Sequence, residues 1–346
     1  MNTQSDISVE RDQSGRVVRV VGPGLVDLQI NGYAGTSFNH PPEDINVETL
    51  RPAFEKMRRR GVVAILATVG TAPMDEMLAG IRRITSLRKQ DSLLASMIAG
   101  FHIEGPMISS EDGPRGAHEA EYIIAPNDAP GFLDDLQDAS GGTIRIFTLA
   151  PELPGAMELI ARADAAGIVV ALGHLNADAG SIDRAVRAGA KMCTHLGNGS
   201  HAMLPRLDNY VQYQLADDRL AASFIADGHH VPFPTLKNFI RAKTPQRSVL
   251  ITDAIIAADM PPGYTYGHGR RVRKVDPDGA VRLPGTPYLA GSALTLDMAV
   301  VNTFRNCDVP FETAWAMAST QPAELVGLPV PEMVQVDVTD KGFTRH

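Results

Sequence analysis

The sequence predicts a (β/α)8 barrel. Eight short apolar runs are spread along its 346 residues, with helical stretches between them. The runs read as buried strands, and their count matches a closed barrel. Polar residues able to do chemistry stand at the ends of several runs, where barrel active sites are built. A doubly wound open sheet is the alternative. The count of eight and the regular polar exits favour the barrel.

Two polar strands come first, near Asp6 to Glu10 and Val17 to Val21, with a turn at Ser14-Gly15. Pro23 to Asn31 is the first apolar run and ends in Gln29 and Asn31. A helix over Val47 to Arg60 stops at Gly61, and Val62 to Thr68 is the second run. A long helix spans Met74 to Lys89, and Met97 to Glu104, closed by Gly105-Pro106, is the third run. A helix near Asp128 to Gln137 precedes the fourth run, Ile144 to Leu149, and a helix over Gly155 to Ala166 precedes the fifth. The fifth run, Val169 to Leu172, delivers His174 after Gly173. Asp178 to Ala188 has one-face apolar spacing, Gly189 stops it, and the sixth run, Lys191 to Thr194, delivers His195. Parallel strands joined by a helix lie side by side, so these two imidazoles share one face of the sheet. Ala221 to Ala226 is the seventh run, ending in Asp227-Gly228-His229-His230, and Val249 to Thr252 is the eighth, ending in Asp253. Residues 262–290 are rich in Gly and Pro and read as a loop with a hairpin (Arg271 to Val275, Ala280 to Leu283). Helices over Ala293 to Asn306, Pro310 to Ala318 and Pro322 to Val326 complete the core, and Val334 to Val338 can pair with the N-terminal strands. The expected division is a small β subdomain from 1–22 and 329–346 and a barrel over 23–328.

Composition sets the bounds. A net charge of −8 without a basic block argues against nucleic acid as a partner. The polar start lacks the apolar core of a secretory signal, and no stretch reaches the ~18 apolar residues of a membrane span. Two cysteines, Cys193 and Cys307, give neither a zinc spacing nor a disulfide framework, so a cytoplasmic setting is expected. Cys193 in its apolar run reads as a small buried hydrophobe.

Glu104, His174 and His195 form a zinc-type set, two imidazoles and a carboxylate with a position left for water. Asp253 can take a proton from that water and return it to a leaving amine. His230 can donate to an oxyanion. Each residue also has a plainer reading: Glu104 as a carboxylate capping loop amides, His230 or its neighbour His229 as a solvated side chain, Asp253 as a helix cap. Recurrence at the exits of different strands of one barrel favours the joint reading.

A series of segments in this order resembles the N-acetylglucosamine-6-phosphate deacetylase family of the amidohydrolase superfamily. It comprises Gly24 to Gly32, His102 to Pro106, Gly116 to His118, Gly173 to Ala177, Thr194 to Leu196, Ala226 to Val231, Thr252 to Ala254 and Leu289 to Thr295. The resemblance runs from Pro23 to about Leu328. It implies hydrolysis of an acetamido sugar phosphate to acetate and the free amine. It implies Glu104, His174 and His195 as metal ligands, Asp253 as the catalytic carboxylate and His230 as the group polarising the carbonyl. Substrate contacts would come from Gln29, Asn31, Ala117, His118, Asn198, Gly199, Arg206, His230, Leu289, Ala290 and Gly291. The family precedent is a homodimer.

The chain departs from the pattern in three places. Many amidohydrolases carry His-x-His on the first strand, where this chain has Gln29 and Asn31, so one divalent metal, with zinc expected, follows. The family's His-Leu-aromatic-Asn-Ala-Met is here His195-Leu196-Gly197-Asn198-Gly199-Ser200-His201-Ala202-Met203. Arg206 has the spacing of the family's phosphate-binding arginine and could clamp a phosphate, or lie solvated. The short N-terminal stretch implies a truncated β subdomain. The leading expectation is therefore a metal-dependent deacetylase of N-acetylglucosamine 6-phosphate. The alternatives are another N-acyl amine or unphosphorylated acetamido sugar as substrate, and an inactive barrel serving as a binding module.

Overall fold

The computed structural model describes residues 7–39, 42–267, 272–282, 289 and 291–345. The apolar runs become Leu25–Ile30, Val62–Gly70, Ile98–Glu104, Ile144–Leu149, Val169–Leu172, Ala190–Cys193, Ala221–Ile225 and Ser248–Ile251. They form one eight-stranded sheet in chain order, parallel at every pairing. The first and eighth strands meet at their exits. Asp253 N donates to Gln29 O (2.8 Å), Asn31 N donates to Ala254 O (2.7 Å), and a parallel bridge joins Ile30 to Ala254. Deeper in the barrel another segment serves both strands: Val26 N donates to Ala318 O and Leu250 N to Met317 O, both at 2.8 Å. The architecture is the (β/α)8 barrel that the sequence predicts.

The helices owe their positions to apolar spacing and caps. Val47–Arg59 buries Leu50, Ala53, Phe54 and Met57, one stripe at helical period. Asn46 caps it by accepting from Thr49 N (3.0 Å). Asp178 does the same for Ala179–Ala188, accepting from Ser181 N at 2.7 Å. Fully burying a side chain such as Phe54 stabilises by about 1.5–3 kcal/mol.

Some elements differ from expectation. Met97 ends a short helix, Ser92–Met97, instead of opening a strand, because Asp91 caps Leu93 N and Leu94 N. Helices Tyr210–Ala216 and Phe233–Lys243 were not expected. Residues 262–290 hold a three-stranded antiparallel sheet: Thr265–Tyr266, Arg273–Val275 and Val281–Arg282. Arg271, Leu283 and Ala290 lie outside the described residues. The terminal segments build a four-stranded antiparallel sheet from Ser8–Arg11, Val17–Pro23, Met333–Thr339 and Gly342–Arg345. Trp315 fastens it to the barrel, donating from Nε1 to Pro23 O (2.8 Å) and stacking on Phe343 at 5.3 Å. No helix among the described residues is long and apolar enough to cross a membrane.

Candidate active site

Three side chains converge at the C-terminal mouth of the barrel. Glu104 Oε1 lies 3.2 Å from His174 Nε2 and 2.9 Å from His195 Nε2, and the two Nε2 atoms are 3.1 Å apart. All three residues are buried. Tetrahedral coordination with bonds of ~2.0–2.2 Å separates ligands by roughly 3.3–3.6 Å, so the triangle needs little adjustment to hold an ion. Tautomer chemistry supports the fit. His174 Nδ1–H donates to Pro114 O (2.7 Å), which leaves its Nε2 with a lone pair facing a carboxylate oxygen. Such an arrangement calls for a cation or a shared proton between the two acceptors. Burial alone would raise the Glu104 carboxyl, but the two imidazoles reverse this and hold it well below the usual carboxylate range. His118, expected among the sugar contacts, brings a ring nitrogen within 4.8 Å of the ligand atoms of Glu104 and His174. That wider set is a less compact cradle than the one completed by His195.

Asp253 faces the same space. Its Oδ1 accepts from Asn31 Nδ2 (2.7 Å) and Gln29 Nε2 (3.3 Å), and Gln29 Nε2 also donates to Glu104 Oε1 at 2.8 Å. The two amides therefore hold the carboxylates in place. Burial, with the charge of Glu104 second, pushes Asp253 up to about 8. His230 donates from Nδ1 to Asp227 Oδ2 (2.6 Å), while Asp227 Oδ1 accepts from the backbone N of His229 and His230, both at 2.8 Å. Sequence reasoning missed Asp227, although its place at a strand exit three residues before His230 was the available signal. His229 turns away and meets Asp278 O (3.1 Å).

The backbone at these positions is unusual. His174, His195 and Asp253 have φ of 52°, 30° and 46°. The left-handed region is uncommon for residues other than glycine, and such strain collects at functional sites.

A cavity of about 1010 Å³ opens over the site. Its walls include Asn31, Ala117, His118, Asn198, Gly199, His230, Asp253, Leu289 and Gly291. Gln29 lies beneath it, and Arg206 is exposed on the surface, off the cavity walls. Arg273, on the sheet within residues 262–290, does line the cavity. The altered loop has a steric logic. A Cβ on Gly197 would lie 3.0 Å from Phe239 Cε2, so the helix Phe233–Lys243 brings a ring beside the position where the family has its aromatic. Gly199 (φ +55°) leaves only 2.7 Å between a would-be Cβ and His174 Nδ1, so the loop lies directly on the His174 ring. His201 Nε2 meets Glu111 Oε2 (3.2 Å), and Asn176 Nδ2 donates to Glu111 Oε1 (2.8 Å). These contacts tie the altered loop to the segment carrying Pro114, Ala117 and His118.

No protein-family model matches the chain. An N-acetylglucosamine-6-phosphate deacetylase of Vibrio furnissii is 34% identical over 307 residues, covering 88% of this chain and 73% of that protein. The human protein of the same name is 35% identical over 333 residues, covering 92% and 76%. The chain belongs to the N-acetylglucosamine-6-phosphate deacetylase family. A solved member from Mycobacterium smegmatis, a mutant in complex with N-acetyl-D-glucosamine-6-phosphate, superposes with a TM-score of 0.80 at 29% identity, covering 95% of this chain and 90% of that one. An N-acetylgalactosamine-6-phosphate deacetylase of Escherichia coli O157:H7 is also similar, at 32% identity over 313 residues, covering 90% of this chain and 80% of that protein. Membership in this family, with a buried cluster of carboxylate and imidazole groups at one mouth of the barrel, supports a divalent-metal site.

Proposed function

We propose that this protein removes the acetyl group from N-acetylglucosamine 6-phosphate, giving glucosamine 6-phosphate and acetate, with one Zn2+ held by Glu104, His174 and His195. The convergence of those three ligand atoms beside Asp253, in a chain of this family, carries the reading. A divalent ion bound there polarises the amide carbonyl and lowers the pKa of a water toward ~7. Asp253, steadied by Asn31 and Gln29, accepts the proton of the attacking water and delivers it to the departing nitrogen. His230, fixed through Nδ1 by Asp227, presents Nε2 to the amide oxygen, and in its imidazolium form, with a proton on each nitrogen, donates from Nε2 as negative charge develops there. Ala117, His118, Asn198, Gly199, Leu289 and Gly291 border the space for the sugar.

The test is a substrate panel on metal-loaded protein: N-acetylglucosamine 6-phosphate, N-acetylgalactosamine 6-phosphate and N-acetylglucosamine, read by acetate release. The highest kcat/KM is expected for the first. No turnover of any acetamido sugar, with metal bound, would overturn the reading.

A second reading, an unphosphorylated or otherwise altered acyl substrate, draws on the exposed position of Arg206 and the changed 197–203 loop. Equal kcat/KM for the sugar with and without phosphate would favour it. A homodimer is proposed on the strength of Met203 and Leu207, apolar side chains 89% and 76% exposed on either side of Arg206. Two buried free thiols, Cys193 and Cys307, suit a cytoplasmic setting.

A further inference from the structure

We propose that Asp27 and Thr252 position Asp253: a carboxylate buried inside the barrel ties the first strand to the eighth and holds Asp253 in the left-handed backbone conformation that aims its side chain at the ligand triangle. This rests on the reading of Asp253 as the proton carrier. Neither Asp27 nor Thr252 touches the substrate cavity, and both are almost fully buried.

The barrel has its weak point at this seam. Seven strand pairings are parallel ladders, while the backbones of the first and eighth strands join, among the described residues, through isolated bonds at their exits. Asp27 supplies what the ladder lacks. Its Oδ2 accepts from Thr252 Oγ1 (2.6 Å), and its Oδ1 accepts from Thr252 N (3.3 Å) and Gln29 N (3.2 Å). One carboxylate thus fixes the residue before Asp253 and the residue whose amide holds Asp253. Thr252 Oγ1 also accepts from Ala254 N (3.1 Å), so both neighbours of Asp253 are pinned. The chain between them must turn through φ 46°, and with both sides fixed the strained conformation is the one that fits. A buried carboxylate is costly unless fully hydrogen-bonded, and placing one where an apolar residue would fill the barrel calls for a specific role.

The same arrangement recurs beneath a metal ligand. Thr194 precedes His195, whose φ is also positive, and its hydroxyl meets Thr148 Oγ1 at 2.6 Å. Thr148 in turn meets His102 Nε2 at 2.7 Å, and His102 Nδ1 donates to Leu28 O at 2.9 Å. A hydroxyl one residue before a strained strand exit, bonded to a polar side chain on another barrel strand, is a repeated device here.

The test compares Thr252→Val and Thr252→Ser with wild type, all loaded with metal, for kcat, KM, metal content and melting temperature. Valine keeps the shape and removes the hydroxyl, while serine keeps the hydroxyl. In Thr252→Val, kcat is expected to fall roughly 10–100-fold, since ~1 Å of misplacement costs about 10² in rate. KM should change less than about twofold, with the metal retained, and Thr252→Ser should recover most of kcat. Wild-type kcat in Thr252→Val overturns the proposal. So does a parallel loss of metal and kcat, which would place the pair's role in the metal site or the fold. Asp253→Asn separates the two levels. If that variant is fully active, the role of Asp253 itself fails; if it is inactive while Thr252→Val is unimpaired, only the positioning claim fails.

Discussion

Replacing Asp253 by Asn separates proton transfer from architecture. Asn is isosteric and, with Asp, among the residues that best tolerate positive φ, so the 46° at this position remains accessible. Its Oδ1 can still accept from Asn31 Nδ2 (2.7 Å) and Gln29 Nε2 (3.3 Å). Glu104, His174 and His195 are left unchanged. What disappears is a group that takes a proton from water and returns it to nitrogen. General acid–base catalysis contributes about 10²–10⁴ in rate, which is about 3–5 kcal/mol of barrier. In acetate-release assays kcat should therefore fall by at least about 10², while elemental analysis still finds about one metal per chain. Undiminished kcat would refute the role given to Asp253. Loss of the metal would refute the claim that Asp253 is dispensable for binding it.

Four further outcomes follow from the same geometry. His195→Ala removes one corner of the triangle and should drop metal content from about one per chain toward zero; it should also abolish the rise in melting temperature on adding metal, because an ion that binds only the native state stabilises it. Asp227→Asn weakens the bond that fixes the His230 ring, so kcat should fall, by less than the roughly 10²–10³ lost on deleting an oxyanion donor outright. Arg206→Ala in steady-state assays should raise KM for the phosphorylated sugar alone if the arginine reaches a phosphate in an assembled dimer, and an equal effect on both sugars would rule that out. Burial pushes the Asp27 carboxyl from 3.8 up to about 7. Because the folded value lies above the unfolded one, this group's contribution to stability is full below about 3.8 and is lost as pH rises through about 7. Asp27→Asn lacks that loss, so its melting temperature relative to wild type should improve between those limits, and a pH-independent difference would contradict the assignment.

The barrel was legible because its strands are mostly apolar runs that end in polar residues, a contrast that survives without any tertiary information. The helices that escaped notice did so for local reasons. Phe233–Lys243 opens with Pro232 and Pro234, which read as a loop although proline suits a first helical turn. Ser92–Met97 shares one apolar run with the strand that follows, and only the Asp91 cap divides them. Glu104, His174, His195 and Asp253 stood out in the sequence as polar groups following apolar runs. Asp27 and Thr252 did not, since inside a strand a polar residue shows neither which way it points nor what it meets.

The direction in which the chain leaves each strand is the part least open to sequence. His174, His195 and Asp253 all leave with positive φ, and no local pattern demands it. Tertiary bonds hold it: the His174 ring donates to Pro114 O, His195 N to Ser223 Oγ (2.8 Å) and Thr252 Oγ1 to Asp27 Oδ2. Residues distant in sequence therefore determine where His174, His195 and Asp253 point. That is why Glu104, His174, His195 and Asp253 could be singled out as candidates from one strand end at a time, while their convergence could be read only from the closed barrel.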